Sequence, residues 1–422
     1  MTSDTTSIMD ALYGQIELCD EIRDLIGCPL VQRLRRIRLS NIDSVVMPGI
    51  ANISRYEHSI GVAYLASRIG FRTRIRNSDL LIIQAAGLIH DTAITPLGHL
   101  AEEALQYIGT GYDHEKKWSA ILGANESSEL GGVDLQVYLG HESGLRRWAH
   151  RTFGIKSENA LEEIFAALNG KGKYGPCISG EMDLDNLDNV VRIAYHMGLD
   201  VDRQLPLRIA DRIIDSTEEG IVFSNDAVDY VRLWLSLRET VYNHLMLARE
   251  DFCGKAMLLF AIVLAHEKNY LSLSDWIITD DDLISRLLHS GDEDISSAIK
   301  RWLLRDLWDL SDLFWLEGKP PSYADVYSFS KLASERIGRP CFAYRIKDKR
   351  TRAVPIILAS KTRVELGHNP NMWVLGVSSP TKKPFTTEEN HLLVEIAANT
   401  FSTRFLGNPK SHDNTLTLFE TA

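Results

Sequence analysis

The sequence has little of what a secreted, membrane-spanning or nucleic-acid-coating protein needs. Only five of its 422 residues are cysteine (Cys19, Cys28, Cys177, Cys253 and Cys341), and they lie far apart with no CxxC pair. That excludes a disulfide framework and a structural zinc motif, and it fits reduced thiols in the cytoplasm. No basic n-region opens the chain, because "MTSDTTSIMD" carries an acid where a signal peptide needs cations. Long apolar runs are missing too. The longest, "AMLLFAIVLA" from Ala256 to Ala265, falls well short of the roughly 20 residues that cross a bilayer and reads as a buried core helix. Positive charge is scarce: the formal net charge is -11, which argues against general nucleic-acid or anionic-membrane binding. There is no P-loop and no HExxH. A soluble, cytoplasmic protein is expected.

What is present is mostly helix. "SIGVAYLASRIG" (59–70), "DLLIIQAAGLIH" (79–90), "NALEEIFAALN" (159–169), "AVDYVRLWLSLRETVYNHLMLA" (227–248) and "KAMLLFAIVLAHE" (255–267) carry apolar residues at helical spacing. Polar, Gly-rich breaks at 123–132 and 169–176 separate them. Pro320 and Pro321 stop any helix. Beyond them come a helix-like stretch (323–337) and the strand-like runs "PCFAYRI", "AVPIILA" and "MWVLGVSS". Thr386 and Glu389 then have capping-box spacing before a last helix. The expectation is a mainly α protein: a helical domain over residues 1–318, a smaller α+β domain over 319–406, and a flexible polar tail over 407–422. The basic cluster Arg33, Arg35, Arg36 and Arg38 reads as a solvated or salt-bridged helix face, with contact to a triphosphate or a subunit interface as the functional alternative.

One stretch asks for a chemical explanation. "HDTAITPLGHLAEE" leaves the end of the apolar helix "LLIIQAAGLI", so His90 and Asp91 come off a buried stem where an acid needs a partner or a metal. Upstream, "SRYEHSIGVAYLA" sets Arg55, Glu57 and His58 at the start of another apolar helix. Downstream, "ISGEMDLDNLDNVVRIAYHMG" opens a third helix with Asp183, Asp185 and Asp188. Each has an ordinary reading as a helix terminus. Together they place His, His-Asp and Asp at the ends of three helices able to converge on one site.

In that order, "PLVQRLRRIRLSN", "SRYEHSIGVAYLA", "AGLIHDTAITPLGHLAEE", "YDHE" and "ISGEMDLDNLDNVVR" resemble the HD-domain superfamily, and within it the deoxynucleoside triphosphate triphosphohydrolases. The resemblance runs from about Asp10 to about Arg305 and implies an HD-domain helical bundle. It implies that His58, His90, Asp91 and Asp185 ligate one divalent transition metal ion. Two imidazoles and two carboxylates suit Mn, Fe, Co or Zn, with Mg less natural. Asp183 and Asp188 are rival carboxylates. The resemblance makes His99 and Glu102 the pair that orients or activates water, and one helical face would hold both. It sets His114 near the phosphates, Arg55 on the phosphates and Tyr242 on the substrate side.

Leu39, Asn186, Asn189 and Ile193 stand where family members carry polar or charged residues that read sugar and phosphates. Asn186 and Asn189 are therefore candidate sugar-reading residues in this chain. The implied reaction is metal-dependent hydrolysis of a deoxynucleoside triphosphate to deoxynucleoside and triphosphate, with water attacking the α-phosphate. A nucleotide substrate, a homo-oligomer and room for an allosteric nucleotide come with it. An HD phosphodiesterase or nucleotidase on other nucleotides or short single strands is the alternative enzyme. A nucleotide-sensing regulator is the alternative of another class.

Overall fold

Ser54 opens the helix that carries the first site residues: its side chain accepts the Glu57 amide at 3.2 Å and starts Arg55–Arg68. The computed structural model describes residues 6–40, 47–71, 74–110, 112, 114 and 144–408. Within these the chain is mainly α. Arg55–Arg68 packs on Asn77–Ile89 and on Leu184–His196, the three helices expected to converge. Ile82, Ile83, Ala85, Ala86, Leu88 and Ile89 are all buried, so His90 does leave an apolar stem. Burying each such large side chain contributes about 1.5–3 kcal/mol.

The run Ala256–Ala265 lies inside the helix Arg249–Glu267 and is mostly buried. No helix among the described residues is long and apolar enough to cross a membrane. The expected helices near 159–169 and 227–248 appear as Ser157–Leu168 and Ala227–Leu247.

The three expected C-terminal strands are present as Phe342–Lys347, Val354–Leu358 and Met372–Ser379. Tyr323–Ile337 precedes them, and Thr387–Phe401 follows with the Thr386–Glu389 capping box in place. Their pairing reaches across residue 318. Met372–Ser379 pairs antiparallel with Phe342–Lys347, with Phe314–Glu317 and with Asp309–Leu310, and Arg404–Gly407 closes the outer edge. The expected 318/319 division therefore falls inside one sheet. A second sheet adds Val354–Leu358 in parallel to Gly220–Phe223, whose hairpin partner Ile213–Thr217 was not expected from the sequence. One apolar core is shared by Leu100, Ala104, Phe252, Leu259 and Trp302 from the helices and Phe342, Trp373 and Leu375 from the sheet. Residues 409–422, most of the expected tail, and the polar break at 123–132 lie outside the described residues.

Arg33 is not on a solvated face. It is buried, and its guanidinium donates to the carbonyls of Ile94 (3.0 Å), Trp276 (2.9 Å) and Ile278 (2.9 Å). It ties the segment after His90-Asp91 to a loop almost two hundred residues away. Arg35 and Arg36 do stay exposed, on Tyr56 and Asp281.

Candidate metal centre and catalytic cleft

Three carboxylates opened the third helix in the sequence, and the backbone sorts them. Asp183 is the N-cap of Leu184–His196, accepting the Asn186 amide at 2.7 Å and the Gly180 amide at 2.8 Å. Asp185 and Asp188 stand three residues apart on one helical face and meet the same imidazole from two sides. His58 Nδ1 lies 2.7 Å from Asp188 Oδ1, and its Nε2 lies 2.9 Å from Asp185 Oδ1. Asp188 is fully buried and also accepts Arg192 Nε at 2.8 Å and Tyr13 Oη at 2.8 Å. Asp188 is thus spent on holding His58, and Asp185 is the carboxylate that faces the histidines.

His90 is held in the complementary way. Its Nδ1 donates to the Gly87 carbonyl at 2.8 Å, which turns Nε2 toward Asp91 Oδ2 (3.5 Å) and Asp185 Oδ1 (3.7 Å). That Nε2 is buried and has no hydrogen-bond partner among the described residues. An orphaned buried imidazole nitrogen, beside a second imidazole and two carboxylates, is the donor set a divalent cation fits. His58, His90 and Asp185 lie close enough to share one ion. Each ring's outer nitrogen is fixed by a backbone or carboxylate acceptor, as metal-binding histidines usually are. Asp91 adds a second carboxylate, with its Oδ2 also 2.6 Å from Arg55 Nη1.

Electrostatics agree. Burial disfavours a charged His58, yet Asp185 and Asp188 raise it to about 10, and Asp91 and Asp185 raise His90 against its own burial. This cluster demands positive charge at its centre. Asp183, by contrast, is pushed up to about 7 by burial and by the neighbouring Asp185.

Behind His58 lies a network that sequence reasoning missed. Arg192 bridges Asp188, Asp10 (3.1 Å) and Glu57, and Asp10 caps the N-terminal hairpin through the Leu12 and Tyr13 amides. Gly61 makes room for it: a Cβ there would lie 2.2 Å from Asp188 Oδ2. The i, i+4 spacing of Asp188 and Arg192 was the available signal. Burial works against the Asp188 charge, but Arg192 and His58 hold its carboxyl down at about 2. A depressed acid adds stability above its unfolded value of 3.8 and loses it as pH falls toward about 2. Asp188→Asn should therefore cost the metal-free protein about 3 kcal/mol at pH 7, because one partner of a buried charge pair is gone. In urea unfolding the gap from the parent should close between pH 4 and 2; a gap constant with pH would contradict the network.

Glu102 is buried beneath two histidines rather than in the cleft itself. Its Oε2 is 2.9 Å from His99 Nδ1, and its Oε1 is 2.7 Å from His114 Nδ1 and 3.0 Å from the His114 amide. Burial opposes its charge, and the hydrogen bonds from His114 and His99 hold it well below the usual carboxylate range. His114 is raised by the same contact. The carboxylate therefore orients both rings at once, a pairing that the sequence suggested only for His99.

These groups share one cleft of about 620 Å³, lined by Arg55, His58, His90, Asp91, His99, His114 and Asp185, and by Asn186, Asn189 and Tyr242. Leu39 and Ile193 form apolar parts of the wall. Asn186 is tied by its amide to Asp183 at 2.8 Å, whereas Asn189 Oδ1 is buried with no partner among the described residues. The cleft also takes Tyr344 and Lys347 from the strand Phe342–Lys347, and Lys349 and Arg352 from the loop after it. None of these was expected. The dense basic run "YRIKDKRTR" in an acidic chain was the signal for them.

Residues 55–194, which hold all four candidate ligands, match the HD domain family model. The match is confined to that part of the chain. The chain is 22% identical over 418 residues to an uncharacterized protein of Methanocaldococcus jannaschii, across 91% of this chain and 81% of that one. It is 25% identical over 319 residues to the deoxynucleoside triphosphate triphosphohydrolase SAMHD1 homolog of Dictyostelium discoideum, across 69% of this chain and 57% of that one. Against the deoxynucleoside triphosphate triphosphohydrolase SAMHD1 of Gallus gallus it is 34% identical over 212 residues, covering 45% of this chain and 34% of the other. The chain thus spans little more than half, or less, of these two named relatives.

Proposed function

We propose that this protein is a metal-dependent phosphohydrolase acting on deoxynucleoside triphosphates, releasing deoxynucleoside and triphosphate. The observation that carries the reading is the orphaned Nε2 of His90, set among His58, Asp91 and Asp185 in the cleft that also takes His99 and His114. A divalent ion held by those four residues supplies charge neutralisation at the phosphate and acidifies water. The rest is work for the chain's own groups. His99, half exposed and held at Nδ1 by Glu102, takes the proton of the attacking water as its oxygen bonds to the α-phosphorus. The bond from that phosphorus to the 5′ oxygen breaks, and the deoxynucleoside leaves with a proton. Arg55 pairs with Asp91 through Nη1 and keeps a buried Nε unpartnered among the described residues, so it can meet a phosphate oxygen; His114 adds positive charge beside it.

The test is a panel: protein with Mn, Mg, Co or Zn against dNTPs, NTPs and short oligonucleotides, with products separated by chromatography. Turnover of dNTPs to deoxynucleoside and triphosphate is expected; turnover of oligonucleotides alone would favour the phosphodiesterase reading. Leu39 and Ile193 make the sugar wall apolar, so shape rather than hydrogen bonding selects the sugar. The ratio of kcat/KM for a dNTP over its NTP should stay near about tenfold, far below the ~10⁴ of sites built to read a hydroxyl. Asn189→Ala should lower kcat/KM for both, since its free oxygen can accept the 3′-hydroxyl they share. A strong deoxy preference would refute the first statement, and an unchanged kcat/KM in Asn189→Ala the second.

A further inference from the structure

Arg238 is a buried guanidinium without a counter-ion among the described residues. It is 5% exposed, lines the cleft, and has both Nε and Nη1 buried with no hydrogen-bond partner among the described residues. Its plane lies over the Tyr242 ring at 4.4 Å and near Trp234 at 5.7 Å. The rings fix its orientation and satisfy none of its N–H groups. A buried cation left in that state is costly unless an anion joins it.

Two further cations reach the same stretch of cleft wall from other segments. Lys255 reaches back from Arg249–Glu267, and its Nζ donates to the Leu245 carbonyl at 3.2 Å; no acid lies within ion-pair distance of it among the described residues. Two of its three N–H groups are left over. Lys349 approaches from the loop after Phe342–Lys347, its amide 3.4 Å from Met246 Sδ, and its charge acts on Lys255. Burial depresses the Lys255 ammonium to about 8 against the pull of Asp251 and Glu103, and Lys349 adds a smaller push in the same direction as burial. Positions 238, 242, 245 and 246 fall on one face of the Ala227–Leu247 helix, and the three cations line the cleft along its last three turns.

The acids of the same wall are engaged elsewhere. Asp348 pairs with Arg350 at 2.8 Å, Glu181 with Arg352 at 2.6 Å, and Glu103 accepts from Tyr344 Oη at 3.2 Å. In a chain of net charge -11, three cations are thus gathered with no protein anion contacting them among the described residues. We propose that Arg238, Lys255 and Lys349 form an anion pocket that takes the terminal phosphates of a polyphosphate chain. This deepens the phosphohydrolase reading and rests on it for the direction of the chain: the reacting phosphate lies at the His58–His90–Asp185 cluster, and the remaining phosphates run along the cleft to the three cations. It also gives the C-terminal region a task, since Lys349 lies in the loop after the strand Phe342–Lys347. A fixed fork and two ammonium groups from three elements suit a ligand with several oxygens and several charges better than a single carboxylate.

Inorganic triphosphate is the probe, titrated calorimetrically into the full chain freed of metal by a chelator, with orthophosphate as the comparison. The parent should bind triphosphate more tightly than orthophosphate. Arg238→Met should weaken triphosphate binding by about tenfold or more, the loss of charge-assisted hydrogen bonds to a buried group. Lys349→Ala changes an exposed side chain, and should weaken binding a few-fold and flatten its salt dependence. Triphosphate affinity within twofold of the parent in both variants, each folded by circular dichroism, overturns the pocket. If nucleotides are hydrolysed by the parent with KM unchanged in both variants, the pocket falls and the phosphohydrolase reading stands. If no nucleotide is hydrolysed but triphosphate binding falls as expected, the pocket stands and that reading falls.

Discussion

Replacing either His90 or Asp91 with alanine is expected to abolish metal binding and hydrolysis together. His90 Nε2 has no protein partner among the described residues, so its place in the cluster is explained by an ion more simply than by packing. Without it, the ion would keep one imidazole, and affinity should fall far beyond the 10–100-fold typical of losing a supporting hydrogen bond. Asp91→Ala removes a carboxylate and also leaves Arg55 Nη1 without its 2.6 Å partner, placing an unpaired cation where the ion should sit. The two variants should therefore fail alike in elemental analysis, although Asp91→Ala should also lose stability, because it strands a buried charge. Full metal occupancy in both would show that the cluster is only a buried polar network.

Glu102→Gln should fold, keep its metal and lose turnover by ~10²–10⁴, the usual contribution of a general acid–base pair. The carboxylate accepts from two imidazole Nδ1 atoms and one amide. A glutamine can offer only one oxygen, and its NH2 would face one of the two rings as a donor against a donor. That ring must turn or change tautomer. Because Glu102 acts through His99 and His114 rather than on substrate, the pH profile is the discriminating readout. Removing the charge that raises His114 should move the limb governed by an imidazole to lower pH. Turnover within threefold of the parent with an unmoved profile would mean that Glu102 is only a helix residue.

How much of this was written locally in the chain can be judged from particular residues. The helices 55–68 and 77–89 show themselves by apolar periodicity, and His58 and His90-Asp91 by their position at the ends of those helices. The C-terminal strands were legible because Phe342–Lys347, Val354–Leu358 and Met372–Ser379 are rich in β-branched and aromatic residues. What stayed hidden depends on contacts distant in sequence. Asp183, Asp185 and Asp188 are equivalent as letters, and only the cap geometry, the turn between them and Arg192 give each its task. The parallel pairing of Val222 with Ile357 cannot be inferred from either strand alone, yet it belongs to the pairing that brings the C-terminal region against the helices beside the cleft. Proline at 320 and 321 marked a real break in helix, but a break in helix is not a break in packing.

The central claim, that water attacks the α-phosphate in this cleft, is tested most directly by running the reaction in water enriched in ¹⁸O with Mn and one dNTP. Attack at that phosphorus with departure of the 5′ oxygen puts one label into the released triphosphate and none into the deoxynucleoside, and mass spectrometry of both products reads it. Label in a deoxynucleoside monophosphate with release of pyrophosphate, label in the deoxynucleoside, or no turnover with any of the four metals would contradict the account.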